Sequence, residues 1–232
     1  MNRVIIACDF EHKEALFAFL RQFGPDRPML KIGMELFYRE GPELIRQLNK
    51  QGYPIFLDLK LHDIPHTVEK AMANIGKLGV DFVNVHASGG LDMMKAAKYG
   101  LSRSGAKTKL LAVTVLTSID DTMLLEELGV STSLSDTVKR YALLAKKAGL
   151  DGVVCSPLEV PLIREVCPEG FLTVTPGIRL PSQSQDDQRR ITTPIEAKRL
   201  GADLIVVGRP ITKASDPKAT YCQIVGDMSD GK

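Results

Sequence analysis

Pro54-Ile-Phe-Leu-Asp-Leu-Lys-Leu-His-Asp-Ile-Pro65 sets two opposite charges inside a run that otherwise reads as a buried β-strand. Strand side chains alternate between faces, so Asp58 and Lys60 share one face while Leu57, Leu59 and Leu61 share the other and can pack against neighbouring elements. The charged face must look into something polar, because a buried charge without a partner is costly. A structural ion pair would meet that demand. The crowding of Asp58, Lys60 and Asp63 into six residues at the strand's exit points instead to chemistry.

Short apolar or β-branched runs recur at Val4 to Ala7, Met29 to Ile32, Ile55 to Leu59, Phe82 to His86, Leu110 to Thr114, Gly152 to Cys155, Phe171 to Thr175 and Leu204 to Val207. Segments with helical spacing separate them, such as Leu16, Phe19, Leu20 and Phe23, or Val68, Met72, Ile75 and Leu78. Strict alternation of strand and helix implies a parallel sheet. Eight such units in 232 residues predict an α/β fold of one domain, a (β/α)8 barrel spanning 1–232, with a last helix ending near Gly226 and a frayed tail over 227–232.

Polar residues stand at or just after each strand end. They are Asp9, Lys31, Asp58 with Lys60, His86, Thr114 with Thr117, Ser156, Thr175 with Gly177, and Gly208 with Arg209. In a barrel they converge on the C-terminal mouth, where barrel enzymes keep their sites. Val206-Val-Gly-Arg-Pro-Ile-Thr-Lys213 offers a glycine amide, a guanidinium and a proline fit for a first helical turn. With Gly177 opposite, that is a phosphate cradle. The polar, aperiodic run from Ile178 to Thr193 has the composition of a lid. The connection from Val115 to Ser135 is expected to hold a short helix around Met123 to Leu128, and no role attaches to Val115 itself.

Thirty basic and 28 acidic residues spread along the chain leave a net charge of +2, which gives no footprint for nucleic acid or a membrane surface. A small molecule is the expected partner. Cys8, Cys155, Cys167 and Cys222 are scattered without C-x-x-C spacing, and no apolar run approaches a signal peptide or a membrane span, so the expected setting is the cytoplasm.

His62 and His66 have a spacing seen in metal sites, but Pro65 disfavours helix at Ile64, so nothing fixes the two imidazoles on one helical face and no metal is expected. A Schiff-base role for Lys60 needs a neutral amine. Flanking Asp58 and Asp63 favour the ammonium, which suits an electrostatic stabiliser and proton donor. Gly-x-Gly-x-x-Gly is absent and no dinucleotide cofactor is expected.

Asp58-Leu-Lys-Leu-His-Asp-Ile-Pro-His-Thr67 resembles the signature of the orotidine 5'-monophosphate decarboxylase family in its bacterial form. Lys31-Ile-Gly-Met-Glu35, Val83-Asn-Val-His-Ala87, Thr175-Pro-Gly-Ile-Arg179 and Val207-Gly-Arg-Pro-Ile-Thr212 resemble further family segments in the family's order. The shorter Asp-x-Lys-x-x-Asp core is also found in related barrels, the magnesium-dependent keto-gulonate-phosphate decarboxylases and hexulose-phosphate synthases. The resemblance implies cofactor-free decarboxylation of orotidine 5'-monophosphate to UMP in a homodimer with shared active sites. It assigns Asp9 and Lys31 to the ribose and the charged network, Asp58 to the place beside the substrate carboxylate, and Lys60 to proton donation. It sends Asp63 and Thr67 into the partner's site, puts Thr117 on the substrate, and gives the phosphate and lid to Arg179, Gln188, Gly208 and Arg209. The alternatives at the same residues are a magnesium-dependent sugar-phosphate lyase and a non-catalytic phosphate-binding barrel.

Overall fold

Each apolar run is long enough for one short strand and each periodic segment for one helix, and the chain folds as that alternation dictates. The computed structural model describes residues 3–167, 170–180 and 191–229. The strands are β1 (Val4–Ala7), β2 (Met29–Gly33), β3 (Ile55–Leu61), β4 (Phe82–His86), β5 (Lys109–Val113), β6 (Gly152–Val154), β7 (Leu172–Thr175) and β8 (Leu204–Val207). All pair in parallel in chain order, and β1 pairs β8 to close the barrel. The helices are α1 (Lys13–Leu20), α2 (Met34–Lys50), α3 (Pro65–Gly76), α4 (Gly90–Arg103), α5 (Asp121–Glu126), α6 (Leu134–Lys147), α7 (Val160–Val166), α8 (Pro194–Arg199), α9 (Arg209–Thr212) and α10 (Pro217–Met228). None of the described helices is long and apolar enough to cross a membrane.

Alternation along the strands splits the apolar residues into two cores. Ile5, Met29, Phe56, Phe82, Leu111, Val174 and Leu204 fill the barrel interior. Ile6, Leu30, Ile32, Leu57, Val83 and Val85 face the helices in the outer layer. Phe56 and Phe82 meet edge to face inside the barrel, with ring centroids 6.1 Å apart, and so put a hydrophobic floor beneath the mouth. The next inward position on four successive strands is Ala7, Lys31, Asp58 and Asn84. Polar chemistry therefore begins one layer above the floor.

Regular alternation fails on β3. Leu57 pairs with Val83 and Leu61 with Val85, so three residues of β3 face the single Asn84 of β4. Lys60 lies within this bulge with φ 50°, the one positive φ among the described non-glycine residues. The expectation that simple alternation aims Lys60 is thus corrected: a bulge re-aims it.

Other differences from expectation are local. Pro65 occupies the first turn of α3 and Ile64 stays extended at ψ 151°, as the steric effect of proline requires. The short helix after β5 begins at Asp121, earlier than expected, because the Asp120 side chain accepts the Met123 amide and caps it. Helix α10 continues through Asp227 to Met228, which is buried, so the chain stays ordered two residues past Gly226.

Candidate active site

Strands β1, β2 and β3 end side by side, and each delivers one or two charges to the same place. Lys31 Nζ lies 3.1 Å from Asp9 Oδ1 and 3.3 Å from Asp58 Oδ2. Lys60 Nζ donates to Asp58 Oδ1 at 2.7 Å. The order is therefore acid, base, acid, base. Asp58 and Lys31 are largely enclosed, whereas Asp9 is exposed at the rim.

Burial alone would push the Asp58 carboxyl up. Lys31 and Lys60, with hydrogen bonds from Lys60 and Asn84, outweigh burial and hold it below the usual carboxylate range. Burial likewise opposes the charge on Lys31, but Asp58 and Asp9 overcome it and raise its pKa. Each group keeps the other ionised. His86, at the end of β4, is shifted the other way: burial, then the nearby His62 and Lys60, lower its pKa and favour the neutral ring. The His62 and His86 rings sit 5.6 Å apart.

The array forms one wall of a cavity of about 560 Å³ that opens at the mouth. Facing it are Thr117, Gly177 and Arg179, and beyond β8 Gly208, Arg209 and Thr212. Gly177 adopts φ 82°, which lets the chain turn away from β7 toward Arg179. The Arg179 amide donates to the Thr192 carbonyl at 3.0 Å and the Thr192 amide to the Gly177 carbonyl at 3.0 Å, so the base of the loop after β7 is pinned shut. Gly208 precedes the single turn of α9, with Pro210 in that turn. The cavity is charged on one side and offers a guanidinium and glycine amides on the other, which is the pairing a phosphorylated small molecule needs.

The model of the orotidine 5'-phosphate decarboxylase / HUMPS family matches residues 2–224. The chain belongs to this family. It is 54% identical over 223 residues to the orotidine 5'-phosphate decarboxylase of Staphylococcus saprophyticus, covering 96% of each chain. Against the protein of the same name from Bacillus cereus the identity is 52% over 222 residues, covering 94% of this chain and 93% of the other. The crystal structure of orotidine 5'-phosphate decarboxylase from Lactobacillus acidophilus superposes with a TM-score of 0.89 at 46% identity, covering 99% of this chain and 100% of that one.

Within the family framework, Asp9, Lys31, Asp58, Lys60, Thr117, Arg179, Gly208 and Arg209 all line one cavity. Asp63 and Thr67 do not. Both are exposed, and the Asp63 carboxylate accepts the next amide, Ile64 N, at 2.6 Å. Gln188 lies outside the described residues, as does most of the expected lid. Three of the strand-end polar groups are structural. Thr114 and Thr175 donate to the Val154 and Leu204 carbonyls, and Ser156 caps the short turn that follows β6 through a reciprocal pair with Glu159. Among the described residues no cluster of three His, Cys, Asp or Glu side chains could hold a metal ion.

The sequence reading gives no role to Val115 or to Asn84. Val115 is buried and lines the cavity with Leu116. Asn84 is fully buried against the charges, donating to Asp58 Oδ1 at 2.7 Å. Its signal was available, since Asn84 falls on the same strand face as Phe82 and a buried amide in an apolar run needs partners.

Proposed function

We propose that this chain is a carboxy-lyase that converts orotidine 5'-monophosphate to UMP, the last step of de novo pyrimidine synthesis, without a cofactor. The observation that carries the reading is the alternating array Asp9, Lys31, Asp58 and Lys60, held by its own ion pairs at one wall of a cavity large enough for a nucleotide.

Breaking the bond between the pyrimidine carbon and its carboxylate releases CO2 and leaves an electron pair on a vinyl-type carbon. No enol or Schiff base takes up that pair. Fixed charge must stabilise it, and a preorganised array does so without reorganising during the reaction. Lys60 supplies the positive charge and then the proton that replaces CO2. Asp58 sits beside the departing carboxylate, where repulsion is a secondary contribution. Lys31 keeps Asp58 ionised, and Asp9 with Lys31 takes the ribose. Arg209, Gly208, Arg179 and Gln188 attend the phosphate and lid, and Thr117 contacts the substrate. Binding energy from the remote phosphate then goes toward closing the site around the charges.

The working unit in this reading is a homodimer in the cytoplasm, with Asp63 and Thr67 completing the partner's site. Exposure of every residue from His62 to Thr67, including 67% of Ile64, supports a covered face there. Four free cysteines, three of them buried, support a reducing compartment.

The test is the loss of orotidylate absorbance on adding purified protein with EDTA present. Turnover to UMP is expected. UMP binding without turnover would leave a phosphate-binding barrel, and chelator-sensitive activity on a sugar phosphate would replace the decarboxylase with a magnesium-dependent lyase.

A further inference from the structure

We infer that Asn84 is a positioning residue for the decarboxylation, fixing both the backbone of Lys60 and the carboxylate of Asp58 without itself reaching the cavity. The inference rests on the decarboxylase reading above.

The bulge on β3 creates two problems at once. Because three β3 residues face one residue of β4, the ladder supplies no regular backbone partner for the Lys60 amide. Lys60 also occupies the left-handed region at φ 50°, which the Cβ of an L-residue disfavours. Asn84 answers the first directly, its Oδ1 accepting the Lys60 amide at 2.8 Å. Its Nδ2 donates to Asp58 Oδ1 at 2.7 Å, the oxygen that also receives Lys60 Nζ. Lys60 is therefore held at both ends, by Asn84 at its amide and by Asp58 at its ammonium.

The orientation of the amide is forced. Turning it over would set Nδ2 against an N–H and Oδ1 against a carboxylate, two repulsive contacts in a dry site. No other uncharged side chain of this size offers a donor and an acceptor from one planar group at that reach. The Asn84 donor also fixes the carboxylate plane, leaving Asp58 Oδ2 to face Lys31 at 3.3 Å. Asn84 is absent from the cavity lining and 0% exposed, so its effect on substrate passes through Asp58 and Lys60. A purely structural inward residue on β4 would be apolar, as Phe82 is one layer below.

Two variants of the full-length protein test this. N84L removes both bonds while keeping the number and branching of side-chain heavy atoms. N84D keeps the acceptor toward Lys60 but turns the donor toward Asp58 into a second carboxylate. Both are expected to lower kcat by ~10²-fold or more at neutral pH, the cost of a small misplacement of reacting groups, with UMP affinity kept within about threefold. In N84D, kcat relative to wild type should climb as pH is lowered, because a proton shared by the two carboxylates restores the missing donor. If N84L does not fold, N84D alone decides by the same criteria. A kcat within about threefold of wild type, whatever the change in melting temperature, overturns the role of Asn84, and so does a parallel loss of kcat and UMP affinity. A wild-type protein that leaves orotidylate unconsumed overturns the decarboxylase reading and this role together.

Discussion

The two sides of the barrel mouth are built on opposite plans. On the side of β1 to β4 the charges neutralise one another, Lys31, Asp58 and Lys60 coming from strand residues and Asp9 from just beyond β1, and Asp58 is gripped by Lys31, Lys60 and Asn84 at once. On the side of β7 and β8 the polar groups stand on the following loops, with Gly177 and Gly208 bringing backbone close to the cavity and Arg209 at the head of a single helical turn. Groups that act on developing charge must already be in place when the charge appears. Groups that recognise a permanent charge can adjust to it as it arrives. In the proposed function the mouth separates reaction from recognition by setting charges at strand ends against polar groups on loops.

The largest effect should come from removing the charge on the rigid side. Lys60→Ala is expected to reduce kcat by ~10⁴-fold or more, since a general acid contributes ~10²–10⁴ and a fixed stabilising group ~10²–10³, while UMP binding is largely kept. Stopped turnover assays with parallel calorimetry check both halves, and near-normal turnover would remove Lys60 from its role.

A second experiment asks whether the rigid side belongs to one chain. In mixed dimers of Lys60→Ala and Asp63→Ala, both defects fall in one site and leave the other intact if Asp63 serves the partner. Random reassortment then restores about a quarter of wild-type activity. Activity no greater than the average of the two variants, after subunit exchange is verified, would confine each site to its own chain.

On the loop side, Arg209→Ala should weaken UMP and orotidylate by about 1.5–3 kcal/mol, the contribution of a charged hydrogen bond. The unphosphorylated nucleosides should change little. Equal losses for both ligand types would place the phosphate elsewhere and blur the division.

The smallest expected effect lies in stability against pH. The folded pKa of Asp58 is depressed, so its contribution is present above the ordinary carboxylate range and lost as pH falls through the folded value. His86 is depressed too and acts in the same direction, from just below the ordinary histidine range. Lys31 is raised, so its contribution is present below the ordinary lysine range and lost as pH rises through the folded value. Melting temperature measured from pH 3 to pH 8 should fall less steeply on the acid side in Asp58→Asn than in wild type, whereas Arg209→Ala should retain the wild-type slope. Identical acid slopes in all three would show that the charge array does not govern acid stability.

Much of this was legible from residue order. The eight strands lie within a residue or two of the apolar runs, because a strand buried on both faces leaves a near-continuous hydrophobic signature. Asp9, Lys31, Asp58, Lys60 and Arg209 were placed at strand ends, and they meet in one cavity. Thr114, Ser156 and Thr175 carried the same signal and are structural, since a hydroxyl at a strand end serves a neighbouring carbonyl as readily as a ligand. The bulge was hidden, because alternation presumes a regular strand and nothing in Asp58-Leu-Lys60 announces a left-handed lysine. Asn84 was legible only as a buried amide in an apolar run in need of partners, for its two bonds make sense only once the β3 backbone is known to depart from the ladder. Asp63 could be set apart by resemblance only, as its direction past the strand end has no periodicity to fix it.

The left-handed backbone at Lys60 also bears on any attempt to transplant this chemistry. Copying Asp-x-Lys onto an ordinary parallel strand, where φ is near −120°, would reproduce the two side chains and lose the bearing of the amine. An engineer would have to move the two extra residues of β3 and the amide of the adjoining strand as one cassette. The smallest portable unit of this site is a pair of strands, and a motif search confined to one contiguous segment would miss half of it.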